Sequence, residues 1–462
     1  MASIQKRGKK YAVVYTYEDS SGTKRQKWET FTTKREAAAR KSQVEYELDN
    51  GSFIPPSTMT VKDFLKDFVD LYGAKRWGLS AFTGSTSLIN NYINPLLGEY
   101  NIQDVNRRVV DGFIQRLQKT TPVSTPSRKA RTEFLPPCTI EKICKVMHCA
   151  FRQAVRWDMV AKNPFDDVLL PKKEKKRREI WTVEIIRKAL DNCSDGKLFI
   201  AINLSFACSL RMGEITGLTW DCVHITDDDI ARDDAYIIVD KELARVSQDA
   251  IQAIGEKDIL FMFPRITKAQ SATRLVLKRP KTETSVRKVW LPKTLAYILR
   301  EWKQKQDKLK ELMGEEYSDY NLVLALETGR PCEDRVIGNQ FERLKKSAGL
   351  PDVVFHSLRH SSTTYKLKIN HGDIKATQGD TGHAQATMVT EVYAHIIDEE
   401  RKINAQKFET AFYANPDMRI VERQLQPPVE QPKPGLDLQQ LLTQLQENPE
   451  LASQLKSLLQ AG

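Results

Sequence analysis

Apolar and polar positions alternate near the start of the chain. Tyr11, Val13, Tyr15 and Tyr17 fall on one side of an extended segment, EDSSG marks a turn, and TKRQKWETF continues as a second strand. Thr33 and Glu36 have capping-box spacing, which opens a helix that runs to about Asn50 and stops at Gly51. From Thr60 to about Pro164 the period becomes helical. Phe64, Leu65, Phe68, Leu71 and Tyr72 form one stripe, Leu88, Ile89, Tyr92 and Ile93 a second, and Val109, Phe113, Ile114 and Leu117 a third. A further helix from Thr139 ends before Asn163-Pro164.

From Trp181 to about Asn415 helices and short strands mix. TVEIIRKAL and LFIAINLSFACSL read as helices, AYIIVDKEL and NLVLALE as strands, and RLVLKRPKTETSVRKVWLP as two strands joined by a polar loop. The tail opens with the Pro/Gln-rich VERQLQPPVEQPKPGLDL and closes with leucines at helical spacing, which predicts a small amphipathic hairpin. The expected fold is multidomain. It has a small β-sheet-plus-helix N-terminal module (1–54), an all-α domain (58–166), a basic linker (167–180), a mixed, mainly-α domain with a small β-sheet (181–414), and a flexible tail with amphipathic helices (415–462).

Net charge changes the picture. The 462 residues carry a formal +11, an excess that suits a polyanionic partner such as nucleic acid. Basic residues also cluster. Lys24, Arg25 and Lys27 lie on the second strand; Arg128, Lys129 and Arg131 in a loop; Lys172, Lys173, Lys175, Lys176, Arg177 and Arg178 in the linker; and Lys278, Arg279, Arg287 and Lys288 beside the polar loop. These are the expected DNA-backbone contacts, and a narrow basic sheet such as the N-terminal one suits a major groove. Seven cysteines include no CxxC pair, and Cys144, His148 and Cys149 sit in a helical run whose apolar face explains the cysteines without a metal. No metal or cofactor is expected. Unpaired thiols, the lack of a signal pattern and the lack of an apolar run fit to span a bilayer place the chain in the cytoplasm, away from membranes.

Six scattered residues carry chemistry. Breaking a phosphodiester requires cations on the nonbridging oxygens, a nucleophile in line, and a proton for the departing sugar oxygen. Arg211 can meet the first need, with Glu214 three residues on to orient it; Arg359 can be a second clamp on the helix face that bears His356. His356 can bond a phosphoryl oxygen or shuttle a proton. Lys281 and Lys278 both stand near the polar loop as candidate acids. Tyr393, ten residues after His383, is the candidate nucleophile, and its phenolate is also a competent leaving group, so the step reverses without ATP.

The ordered stretches R-x-G-E-x-x-x-L-x-W, K-T-x-x-S-x-R, H-x-L-R-H and G-H-x(9)-Y resemble the tyrosine recombinase (phage integrase) family over about residues 5–410. The resemblance implies that Arg211, His356 and Arg359 hold the scissile phosphate, that Lys281 rather than Lys278 protonates the leaving oxygen, that His383 supports the transition state, and that Tyr393 forms a 3′-phosphotyrosyl bond. It implies an arm-binding N-terminal module, a helical core-binding domain, double-stranded DNA with core and arm sites as partner, a tetramer on paired sites, and an excisionase or DNA-bending accessory protein. Ser357 departs from the aspartate often found there, and Thr381 from the usual leucine. A type IB topoisomerase-like relaxing enzyme and an inactive DNA-binding regulator are the alternative readings.

Overall fold

A computed structural model describes residues 2–18, 22–124, 130, 132–172, 179–256, 258–265, 272–280, 285–370, 373–381 and 438–459. The chain divides into two compact units, 1–392 and 393–462. The first unit is mostly helical with small sheets, and its apolar residues gather into separate clusters.

The first cluster belongs to a three-stranded antiparallel sheet, β1 (Ser3–Arg7), β2 (Lys10–Glu18) and β3 (Lys24–Phe31), packed under the Lys34–Asp49 helix. Thr33 and Glu36 close the capping box, and Gly51 takes φ +64 just past the helix end. Val13 and Tyr15 meet Ala37 and Val44 across this layer. β1 escaped the sequence reading because SIQKR buries almost nothing. It exists as an edge strand of β2.

A second core fills residues 61–165, where Phe64, Phe68, Phe113, Met147 and Phe151 are all fully buried. The Pro137–Arg156 helix buries the expected Ile143, Met147, Ala150, Phe151 and Ala154 face, with Cys144 inside it. Burial pushes the Cys144 thiol up to about 11, as for a cysteine acting as a small hydrophobe. Leu71 departs from its predicted stripe and stands 58% exposed. It lies in a π-helical run, Phe68–Gly73, whose wider turn shifts the following side chains off the helical period.

The third and largest core spans Trp181 to Leu358. Two small sheets flank it: β4 (Val223–His224), β5 (Tyr236–Val239) and β9 (Arg287–Trp290) in one, β6 (Glu242–Ser247), β8 (Thr273–Lys278) and β7 (Ile259–Met262) in the other. The predicted strand pair around the polar loop is real as two strands but not as a hairpin, because β8 pairs with β6 and β7 while β9 pairs with β5. NLVLALE is not a strand. Leu322, Val323 and Leu324 are buried there, but the backbone makes only isolated bridges, Thr219 to Leu322 and Ala325 to Pro331. Apolar burial looks alike in a strand and in a buried turn.

Leu79 and Phe82 of the Leu79–Leu88 helix reach from the second core to Val246, Ala250 and Val276 of the β6–β8 sheet and the Gln248–Ile254 helix. The tail holds two helices, Leu438–Glu447 and Pro449–Leu459, at the expected leucine spacing. Among the described residues no helix is long and apolar enough to cross a membrane, and no group of three His, Cys, Asp or Glu could hold a metal.

Candidate active site

The site starts at a strained turn. The Gly196–Ala207 helix ends, and Ser209 takes a left-handed φ of +54 two residues before Arg211. A non-glycine residue costs about 1 kcal/mol or more in that region, so the surroundings must hold it. They do: the Ser209 hydroxyl lies 2.6 Å from the Ser362 hydroxyl, and the Ser209 carbonyl accepts from the Arg359 guanidinium. The turn launches the Met212–Thr216 helix, which lies so close on β6 that a β-carbon at Gly217 would overlap the Leu243 amide nitrogen.

Glu214 is the hub. Its side chain is 1% exposed, and its oxygens accept four bonds. Oε1 accepts from Arg211 Nη1 at 2.7 Å and Arg287 Nη1 at 3.2 Å; Oε2 accepts from the Arg211 amide and Arg287 Nη2, both at 2.9 Å. Burial by itself would raise the Glu214 carboxyl, but Arg287 first and then Arg211 outweigh it and hold the pKa below the usual range. Arg211 keeps 33% of its side chain exposed, so its head is presented outward from this anchor.

Arg359 differs. It lies on the His356–Ile369 helix, is 1% exposed, and donates to the carbonyls of Ser209 and Thr381. Burial, and then repulsion from Arg211, press its guanidinium down to about 9, with Glu214 opposing and Arg287 adding to the drop. Three guanidiniums thus crowd one carboxylate, and the excess positive charge favours an anion at this place. His356 is exposed at the first turn of the same helix, and its ring meets His360 edge-on at 4.9 Å. His360 follows Arg359 and points about 100° around the helix from it; its i,i+4 relation to His356 is the signal that finds it.

The four basic residues beside the polar loop separate by strand parity. Lys278 shares the inward side with Val276, is 9% exposed and bonds Glu242, its direct partner across β6 and β8. Arg287 shares the inward side with Val289, its side chain 7% exposed. The expected backbone contacts at Lys278 and Arg287 are therefore internal ion pairs here, and the inward parity of Val276 and Val289 was the sequence signal for it. Arg279 and Lys288 are exposed, and Lys288 Nζ lies 3.5 Å from the ring centre of Tyr236 and 3.8 Å from that of Trp290. In the N-terminal sheet the parity splits again: Arg25 and Lys27 pair with Tyr17 and Tyr15 on the helix-covered side, while Lys24 lies on the open side. Lys172 is exposed. Lys281, His383, Tyr393, Arg128, Lys129, Arg131, Lys173, Lys175, Lys176, Arg177 and Arg178 lie outside the described residues.

A mainly helical chain with small sheets thus carries three guanidiniums around one buried carboxylate, an excess of positive charge suited to an anion. The phage integrase family profile matches residues 265–400. A XerC-like tyrosine recombinase of Caldanaerobacter subterraneus subsp. tengcongensis is 24% identical over 80% of this chain and 88% of its own length. The ICEBs1 integrase of Bacillus subtilis is 22% identical over 70% of this chain and 75% of its own. The fold is shared with the Tn1549 transposon integrase solved with transposon right end DNA, at TM-score 0.58 and 20% identity over 76% of this chain and 99% of that one. The phage integrase match and these relatives support a tyrosine recombinase whose activity is site-specific DNA recombination.

Proposed function

We propose that the chain integrates a mobile DNA element by cutting and rejoining strands through Tyr393. The Tyr393 phenol gives its proton to solvent as its oxygen attacks phosphorus, the bond to the 5′ oxygen breaks, and that oxygen leaves with a proton from Lys281, which solvent restores. The product is a 3′-phosphotyrosyl bond and a free 5′ hydroxyl. A 5′ hydroxyl from the partner duplex reverses the step, so no energy source enters. Arg211, Arg359 and His356 hold the nonbridging oxygens, and His383 supports the transition state.

The observation that carries this reading is the Arg211–Glu214–Arg287 hub with Arg359 beside it, which concentrates cationic charge in a protected place. The proposed division of labour follows the three cores. The helical unit and the catalytic unit clamp the crossover site, and a tetramer assembles on two duplexes. The N-terminal sheet holds separate arm sites with its open face, where Lys24, Gln26 and Trp28 align with Lys10 and Arg7, and the Arg7 guanidinium sits 4.3 Å over the Trp28 ring.

The test is covalent capture on a nicked suicide duplex carrying the joined ends of the element. The wild-type chain is expected to leave a 3′-linked adduct, and Tyr393→Phe to bind the duplex without one. An adduct that persists in that variant sinks the assignment of the nucleophile. Relaxation of plasmids lacking the site by single protomers would instead support the topoisomerase-like reading.

A further inference from the structure

We propose that Arg287 is a positioning residue for the recombination reaction: by saturating Glu214 it both orients Arg211 and leaves the Arg211 charge free for the scissile phosphate. The inference rests on the functional reading above. A carboxylate offers about four lone-pair sites, and the four bonds at Glu214 fill them. Two come from the planar fork of Arg287, one to each oxygen, and fix the rotation of the carboxylate. Two come from Arg211, one from its backbone amide and one from Nη1, and the Nη1 bond ties the guanidinium to the same carboxylate.

Charge gives the second half. With Arg211 alone, Glu214 would form a neutral pair and cancel the cation that the phosphate needs. With Arg287 present the carboxylate is already matched, and Arg211 remains a net positive charge. Arg287 also donates from Nη1 to the Ser285 carbonyl at 3.1 Å, so it ties the β9 end of the K-T-x-x-S-x-R stretch to the residue beneath Arg211. Its side chain, 7% exposed, is set inward against Glu214.

The experiment uses the full chain on saturating suicide duplex, in two versions. One has an ordinary 5′ oxygen at the cleavage point; the other has a 5′ sulfur, which leaves as a thiolate and takes no proton. Arg287→Ala is expected to slow adduct formation by on the order of a hundredfold on both substrates, because misaimed phosphate contacts hurt either leaving group. Duplex affinity should stay within about twofold, since no DNA contact is removed. Arg287→Lys, which keeps charge without the fork, should fall between wild type and alanine. It also supplies a folded comparison, with an unchanged melting midpoint, should the alanine chain be unstable. On a Glu214→Gln background the further loss from Arg287→Ala should shrink, since the carboxylate to be positioned is gone.

Three results overturn the proposal. One is wild-type cleavage by Arg287→Ala. Another is full rescue by the 5′ sulfur, which would put the residue on the leaving group. The third is a defect seen only as weaker duplex binding with a normal rate at saturation. Loss of the adduct in the wild-type chain would instead count against the functional reading, so the two failures are distinct.

Discussion

The N-terminal sheet and the β8–β9 region have the same look in the sequence, basic residues crowded on short strands, and opposite outcomes in space. In the first, Lys24, Trp28, Lys10 and Arg7 share the sheet face away from the Lys34–Asp49 helix. In the second, Lys278 and Arg287 turn inward onto Glu242 and Glu214. Charge density does not separate the two cases. What separates them is whether a carboxylate from a distant segment stands on the same side of the strand. A cation buried on such a carboxylate becomes part of the frame; a cation left exposed is available to phosphate.

The contrast can be broken or sharpened by substitution. The largest effect is expected at Arg211, whose partly exposed head is the one proposed to hold the scissile phosphate. Arg211→Ala should lower adduct formation by about 10²–10³-fold at saturating duplex, the scale for removing one electrostatic stabiliser of a transition state. Near-normal cleavage would mean that another cation holds the phosphate.

Lys278→Ala should act on stability instead. Losing the partner of Glu242 in a half-buried cross-strand pair is expected to cost about 1–3 kcal/mol in urea unfolding, with the salt dependence of DNA binding unchanged. A reduced salt slope would return Lys278 to the phosphate contacts. Arg7→Ala should show the reverse: little change in unfolding, and a slope of log affinity against log salt smaller by about one on arm-site DNA. No change in that slope would close the open face as a DNA surface.

The smallest effect concerns acid. Glu214 has a pKa lowered in the folded chain, so its pairing stabilises the fold fully above its ordinary value of 4.5. That contribution is lost as pH falls below 4.5 toward the lowered folded value. Glu214→Gln should flatten this part of the stability curve below the ordinary value of 4.5, and an unchanged acid limb would mean that the pair is not linked to folding.

Much of the site was legible locally. R-x-G-E predicted the Arg211–Glu214 contact because residues three apart share a helix face, and the bond is there at 2.7 Å. The Thr33–Glu36 capping box and the Pro137–Arg156 apolar face follow equally from spacing alone. Arg287 on Glu214 spans 73 residues, and no local period can report such a pair. The same holds for Arg359, which sequence spacing set beside His356 as a phosphate clamp and which the fold buries against the Ser209 and Thr381 carbonyls.

Spacing and residue type thus specified most of the helices, the ordered set of chemical groups and the resemblance to the family. The chain's packing chose which cations face inward, which strands share a sheet, and which carboxylate each guanidinium meets. The physical reason is range. Helix and strand periods act over a few residues, whereas an ion pair forms wherever folding brings opposite charges within a few ångströms and removes the water between them.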